Sequence, residues 1–174
     1  MKKLAFVMLV SLVLALIITI PASASPSIAV SGSLPVGAVF SETFTPKGGV
    51  CIVNLDAMLE FRDENGGMNA VIVGDAHTQW IIVGKYGGEN PCEGAYPGKS
   101  DETWTAKGTF EGTVNGIAGS FDFNYNARVK EGGQFTAKLN IGQGYGGLAN
   151  LHGGLNETGD ILGQNSYTGR IHFD

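Results

Sequence analysis

The sequence predicts an all-β domain, a single antiparallel barrel of about eight strands that follows a signal peptide helix. Three observations predict this fold. Apolar and polar side chains alternate along several stretches, turn motifs such as Asn115-Gly116 separate those stretches, and 27 of the 174 residues are glycine. Alternation with a period of two indicates a strand with one buried face, whereas glycine is costly in helices and useful in turns. No stretch after the signal has a sustained helical period.

The N-terminus has the order of a secretory signal. Lys2-Lys3 is a short basic start, residues 4–20 are uncharged and apolar, and Ala22-Ser23-Ala24 supplies the small residues of a cleavage site. We therefore expect a signal peptide over residues 1–24, a β-barrel domain over residues 25–174, and a secreted, cell-surface or periplasmic protein. The alternative is that residues 4–20 remain as an N-terminal membrane anchor, because the run is at the lower limit of length for crossing a bilayer.

The domain is acidic. The whole chain has a net charge of −5, which becomes −7 once Lys2 and Lys3 are removed with the signal. Nucleic-acid binding needs a basic face that releases counterions from phosphate, and anionic lipid attracts basic segments. We therefore expect no nucleic-acid partner, and no stable membrane partner once the signal is cleaved.

The chain has two cysteines, Cys51 and Cys92. In an exported protein an even pair is most simply a disulfide, and two unrelated free thiols are the alternative. A bond between them would close a loop of about 40 residues and stabilise the fold by roughly 3–4 kcal/mol.

The C-terminal half has the clearest alternation. Thr103–Val114 is predicted to be a strand that ends at an Asn-Gly hairpin turn. The returning strand carries its apolar residues from Phe121 to Val129, and a third strand carries them from Phe135 to Ile141. Three consecutive strands with tight turns form a β-meander.

Four further segments are predicted after the meander. We expect a glycine-dense bend over Gly142–Gly147, a short strand over Leu148–His152, a polar turn-like segment over Gly153–Gln164, and a final strand over Tyr167–Asp174.

The N-terminal half has the same character with less regular alternation. Strands are predicted over Ser27–Leu34, Val50–Arg62 and Asn69–Val83. A turn is predicted over Asp63–Gly67, and Tyr86–Ser100 is predicted to be the longest loop.

Three runs in the C-terminal half, Gly108–Gly116, Gly144–Gly153 and Tyr167–Asp174, carry a family resemblance. Over Thr103–Asp174 the chain resembles an uncharacterised family of bacterial and archaeal domains that is grouped with the allene oxide cyclase and dirigent barrels. The resemblance implies an eight-stranded antiparallel barrel with an apolar interior that holds a small hydrophobic molecule. Cyclase relatives steer a reactive lipid epoxide, and dirigent relatives steer radical coupling. Their functional residues match no position here, so no catalytic residue is carried over.

Ionisable residues form no catalytic or metal-binding motif in the sequence. Asp56 and Glu60 share a face of one strand, and we interpret that face as solvated. His77, His152 and His172 have no zinc-site spacing, so we interpret them as scattered surface histidines. The sequence therefore predicts no metal site, no cofactor, and no identifiable catalytic residue.

Aromatic residues on inward faces are the remaining candidates for a site. We predict that a ligand cavity is lined by Trp104, Phe110, Phe121, Phe123 and Tyr125. An eight-stranded barrel has room for its own side chains or for one small ligand.

Two hypotheses of function follow. The first is a non-enzymatic exported barrel that binds a small apolar ligand or serves as an interaction module, with homo-oligomers as one kind of partner. The alternative is a cyclase or isomerase that positions a small hydrophobic substrate in the cavity. An ionisable residue on an inward face would favour the enzyme. The predicted inward faces carry small, aliphatic and aromatic residues, which favours the first hypothesis.

Overall fold

The computed structural model describes residues 26–63, 72–161, 163 and 165–174. Over these residues the chain forms nine strands and no helix, and hence no helix long and apolar enough to span a membrane. The strands are β1 (Ile28–Gly32), β2 (Val36–Lys47), β3 (Val50–Phe61), β4 (Ile72–Gly84), β5 (Glu102–Val114), β6 (Ile117–Val129), β7 (Gln134–Gly146), β8 (Leu151–Asp160) and β9 (Asn165–Phe173). The predicted signal peptide helix lies outside the described residues, as does the predicted turn after Asp63.

All nine strands belong to one antiparallel sheet in the order β1-β9-β8-β7-β6-β5-β4-β3-β2. The strands at the two ends are therefore β1 and β2. Beyond β1, Ser33 N donates to Arg62 O and Arg62 N donates to Ser33 O, each at 3.1 Å. Because Arg62 directly follows β3, this bridge joins the β1 end of the sheet to the strand next to β2, and the sheet curls around its core.

The prediction of a closed barrel of about eight strands is corrected in two respects. The sheet has nine strands, and its ladder of strand pairs is not closed. Pro35 lies between β1 and β2, where the chain leaves β9 for β3. Proline cannot donate to a ladder, and Pro35 contributes only its carbonyl, which accepts from Glu60 N at 2.9 Å. The ladder is consequently interrupted between β1 and β2.

Strand β2 was absent from the sequence prediction. Its pairing with β3 shifts register between Val36 and Ala38 and again between Val39 and Ser41. Each shift reverses the alternation of side chains, so the period of two is lost. The strand is also exposed along almost all of its length, which removes the apolar signal of a buried face.

The predictions for Gly142–Gly147 and Gly153–Gln164 were wrong. Strand β7 continues to Gly146, and β8 occupies most of the segment that was predicted to be a turn. Glycine and asparagine disfavour strands, but β8 pairs with β7 on one side and with β9 on the other. The hydrogen bonds of two ladders therefore outweigh the local preference.

The meander, its first turn and the long loop are confirmed. Strands β5, β6 and β7 pair in series. Asn115 and Gly116 have φ values of 51° and 79°, the left-handed conformation that makes Asn-Gly a hairpin turn. The Tyr86–Ser100 loop contains no strand.

The disulfide between Cys51 and Cys92 is confirmed, with a sulfur–sulfur distance of 2.05 Å. Cys51 lies at the start of β3 and is fully buried, whereas Cys92 lies in the long loop. The bond holds the loop against the end of the sheet.

The core lies on the inner face of the curled sheet. Its centre is a five-ring cluster formed by Phe61, Phe110, Phe121, Phe123 and Tyr167. The ring of Phe61 meets the other four edge-on, with centroid distances of 5.0 to 6.4 Å. Edge-to-face pairs at such distances stabilise a core beyond the area they bury.

Candidate functional site

Two glutamates are buried on the inner face. Glu102 begins β5 and Glu157 lies in β8. Each of the two residues is 3% exposed. Glu102 precedes Trp104 by two residues and Glu157 follows Leu155 by two, so the alternation of each strand turns the carboxyl group inward. Because burying a carboxylate is costly unless it is paired, these residues indicate a candidate site.

Among the residues that the structure describes, Tyr125 is the hydrogen-bond partner of the Glu157 side chain. The Tyr125 hydroxyl donates to Glu157 Oε2 at 2.8 Å. Burial raises the pKa of Glu157 to about 7, although the hydrogen bond from Tyr125 acts to lower it. Burial, and then the charge of Glu157, raise the pKa of Tyr125. At neutral pH the pair therefore combines a partly ionised carboxyl group with a protonated phenol, which is suited to proton transfer.

Glu102 has a different environment. Its carboxylate accepts from Trp104 Nε1 at 2.5 Å and from Gly98 N at 2.8 Å. Burial raises the pKa of Glu102, while these donors and the hydroxyl of Tyr86 lower it in part. Because Tyr86 and Gly98 belong to the long loop, their hydrogen bonds to Glu102 attach that loop to β5.

An aromatic wall joins the two glutamates. The ring of Trp80 lies edge-on to Trp104 at 5.9 Å and to Tyr125 at 5.0 Å. Trp80 Nε1 donates to Thr78 Oγ1 at 2.7 Å, and Thr78 Oγ1 donates to Ala57 O at 2.6 Å. These bonds satisfy the indole N–H and fix the orientation of the ring. We call Glu102, Glu157, Trp80, Trp104 and Tyr125 the glutamate–aromatic site.

Small side chains neighbour this site on the inner face. Register places Ala106 beside both Trp80 and Tyr125, Ala127 beside Trp104, and Ala137 beside Glu157. The methyl side chains of these alanines leave the width of the interior here to the large rings.

The five aromatic residues predicted to line one cavity divide between two groups. Phe110, Phe121 and Phe123 belong to the five-ring cluster, in which Phe110 and Phe121 stack at 4.6 Å. Trp104 and Tyr125 belong to the glutamate–aromatic site. The glutamate–aromatic site thus combines two of the predicted residues, Trp104 and Tyr125, with three that were not predicted. These three are Trp80, Glu102 and Glu157.

The predicted composition of the inward faces was wrong in two positions, Glu102 and Glu157. Glu157 was missed because its segment was predicted to be a turn. Glu102 had a signal in the sequence, since the alternation recognised from Thr103 onwards extends one residue further back. An ionisable inward residue was the feature expected to favour an enzyme, so the correction bears on function.

The histidines are less scattered than predicted. His152 and His172 face each other across β8 and β9, with ring centroids 5.5 Å apart. Their Nε2 atoms lie 3.2 and 3.6 Å from the carboxylate oxygens of Asp174. His77 is separate, with Nε2 at 2.7 Å from Asp56 Oδ1. Within the described ranges no group of three or more histidine, cysteine or acidic side chains is arranged to hold a metal ion.

One solved structure has the same architecture over most of its length. It is a protein with unknown function of the DUF3224 family from Shewanella oneidensis MR-1, 18% identical to this chain. The match covers 86% of this chain and 98% of that one, with a TM-score of 0.58. The fold is shared with a DUF3224 protein.

This likeness agrees with the resemblance to an uncharacterised family, and at such low identity it concerns the fold alone. The finer likeness to allene oxide cyclases stays a prediction. No family model matches the chain, and no curated protein matches it.

Proposed function

We propose that this protein binds a small, largely apolar molecule at the glutamate–aromatic site, with Glu157 as the polar anchor. One observation carries the proposal: a carboxyl group of pKa about 7 is buried beside a single hydroxyl partner in an aromatic interior. A buried ionisable group with one partner is rarely the most stable choice, because a well-packed apolar residue avoids the cost of desolvation. Groups with strongly raised pKa values cluster at functional sites for that reason.

The lining suggests the class of ligand. Two indole rings and a phenol ring offer flat apolar surfaces, and a half-ionised carboxyl group both donates and accepts a hydrogen bond. The proposed ligand is therefore a small ring-containing or branched hydrophobic molecule with one hydroxyl, amine or carbonyl group.

Intrinsic fluorescence gives a direct test, because Trp80 and Trp104 are the two tryptophans of the chain. We would titrate the protein with N-phenyl-1-naphthylamine, an apolar dye with one N–H group. The expected result is a saturable loss of tryptophan emission as energy passes to the bound dye. Glu157→Gln should weaken binding several-fold, whereas Glu111→Gln, on the exposed face of β5, should not. Binding that is the same in both variants would place the dye elsewhere and reject the proposal.

A second candidate is the cyclase or isomerase function, and the Glu157–Tyr125 pair favours it specifically. The carboxylate of Glu157 can take a proton from carbon, and the Tyr125 hydroxyl, once it turns its one hydrogen away from Glu157, can donate to the oxygen that gains charge. A probe for this chemistry is the exchange of α-hydrogen for deuterium in 2-indanone in D2O, followed by NMR. An enzyme of this kind would accelerate exchange, and Glu157→Gln would abolish the acceleration. Equal rates with the two proteins would exclude Glu157 as a base toward this ketone.

Export is also part of the proposal. A disulfide is typical of an oxidising compartment, and Cys51 and Cys92 form one here. Mass spectrometry of the protein isolated from its source cells should give a chain that begins at Ser25. A chain that retains residues 1–24 and partitions with membranes would support the anchored alternative instead.

A further inference from the structure

A polar groove crosses the outer face of the sheet from β2 to β6, on the side opposite the glutamate–aromatic site. Its volume is about 820 Å³. Inward-facing residues such as Trp80 and Tyr125 also border the groove, in alternation with the outward-facing residues. The backbones of the strands therefore form the floor of the groove.

One row of outward side chains runs across five strands in direct register. It consists of Ser41, Asp56, Gln79, Lys107 and Asn124, each paired with the next. All five line the groove. Neighbouring strands are about 4.8 Å apart, so the row spans roughly 19 Å.

A second row lies two residues further along each strand. It consists of Thr43, Asn54, Ile81, Thr105 and Asn126, again paired in sequence and all lining the groove. The two rows together present amides and hydroxyls at regular intervals along a shallow channel that runs across the strands.

The groove is close to neutral although the protein is acidic. Asp56 and Lys107 balance each other within the two rows, whereas the chain carries a net charge of −5. The amide side chains of Asn54, Gln79 and Asn124 are exposed to solvent. Their donors and acceptors are therefore accessible to a ligand.

An exposed aromatic ring, that of Phe40, directly precedes Ser41, the first residue of the first row. The register shift between Val39 and Ser41 gives β2 an extra residue, and bulges of this kind redirect a side chain. Phe40 is 58% exposed, with its ring centroid 5.6 Å from that of His77 on the outer face. His77 borders a second hollow of about 400 Å³ that shares Gln79, Lys107 and Asn124 with the groove, so the channel continues toward this pair of rings.

We propose that the groove binds a neutral oligosaccharide, with one sugar ring stacked on Phe40 and its neighbours hydrogen-bonded to the two rows. The ligand must offer many hydroxyls, carry no net charge and extend over several strand spacings, each close to the length of one pyranose ring. Nucleic acid does not fit, because the rows contain one cation and one anion. An added peptide strand does not fit either, since the groove lies across the strands and offers no free strand edge.

Affinity gel electrophoresis of residues 25–174, the predicted mature protein, tests this proposal. Gels would contain dextran, xyloglucan, galactomannan or mixed-linkage β-glucan, with alginate as an anionic comparison. We expect retardation by at least one neutral polysaccharide. Phe40→Ala and the double variant Gln79→Ala/Asn124→Ala should each weaken it about tenfold or more. Asn156→Ala, an exposed amide on β8, should leave it unchanged, and unchanged thermal melting would show that the variants fold.

Several outcomes would overturn the proposal. These are the absence of retardation in all four neutral gels, retardation by alginate alone, and full retardation of Phe40→Ala. A concentration-dependent dimer that the groove variants dissociate would identify a second copy of this chain as the occupant instead. Glu157→Gln should be retarded like the wild type, which separates this site from the interior one.

Discussion

Glu157 is a buried ionisable residue on the inner face of the sheet. Its carboxyl group titrates near neutral pH in an aromatic interior, so its ionisation opposes folding while its protonated form does not. A residue of this kind makes the stability of the whole molecule depend on pH.

We predict that the free energy of unfolding falls as pH rises from 5 to 8. The folded-state pKa of Glu157 is about 7 against an ordinary value of 4.5, so the folded state keeps its proton longer than the unfolded state. Stability is then complete below the unfolded pKa and is lost as pH rises through the folded pKa. The loss reaches about 3 kcal/mol at pH 8. Urea unfolding across this range measures it.

Glu157→Gln supplies the matched variant for this prediction. Glutamine keeps the shape and accepts from Tyr125 but does not ionise, so the variant should be more stable than the wild type at pH 8 and similar at pH 4.5. Glu111→Gln, on the exposed face of β5, should follow the wild type. Parallel pH profiles for the wild type and Glu157→Gln would show that the carboxyl group titrates normally.

Gly108 is a second position at which one residue decides the packing. A Cβ atom there would lie 2.5 Å from Phe123 Cζ and 2.7 Å from Thr78 Cγ2. We predict that Gly108→Ala lowers the free energy of unfolding by about 1–3 kcal/mol, since overpacking forces the neighbouring side chains to move. Thermal and urea unfolding measure the change.

Gly88→Ala is the control, because a Cβ atom at Gly88 would meet nothing within 4 Å. Its effect should be close to zero. Equal effects of the two substitutions would mean that the Phe123 ring can move aside with no loss in the free energy of unfolding.

The element that most depends on covalent support is the long loop between β4 and β5. It is held at Cys92 by the disulfide, and at Gly98 by Glu102 and by a hydrogen bond from Gly132 N to Gly98 O at 3.0 Å. Of these attachments the disulfide is the covalent one.

We predict that Cys51→Ala/Cys92→Ala lowers the free energy of unfolding by roughly 3–4 kcal/mol, because the bond closes a long loop. The sequence separation of the two cysteines is 41 residues. Guanidinium unfolding of the variant and of the reduced wild type should give the same loss. A change below about 1 kcal/mol in both would mean that the loop is held by its other contacts.

Among the other elements, those with regular alternation could be predicted from sequence and those without it could not. Strands β5 and β6 have one buried face and pair with each other in uninterrupted register, so period two identified them. Strand β2 has two register shifts, and β8 is rich in glycine. No local signal survives in either strand, and pairing with distant parts of the chain decides both.

The described part of the chain is a curled sheet in which the bridge between Ser33 and Arg62 joins the end of β1 to the end of β3. Strand β2 pairs with β3 alone in the described part of the chain, whereas β5 and β6 each have a partner on both sides. Protection of the backbone should therefore differ strongly across the sheet.

We predict that amides of β5 and β6 exchange with solvent most slowly and that those of β2 exchange fastest among the strands. Hydrogen exchange followed by mass spectrometry or NMR would measure this order. Protection of β2 equal to that of β5 would mean that its free edge is covered in solution.

The sequence by itself determined the all-β class, the meander with its Asn115-Gly116 turn, and the pairing of the two cysteines. Each of these depends on the residues themselves: alternation along one strand, tolerance of positive φ, and the even count of thiols. The tertiary structure alone decided the ninth strand, the open ladder and the meeting of Glu157 with Tyr125. Those features depend on hydrogen bonds and contacts between residues that are far apart in the chain. Tyr125 and Glu157, for example, are separated by 32 positions, so no local pattern encodes their contact.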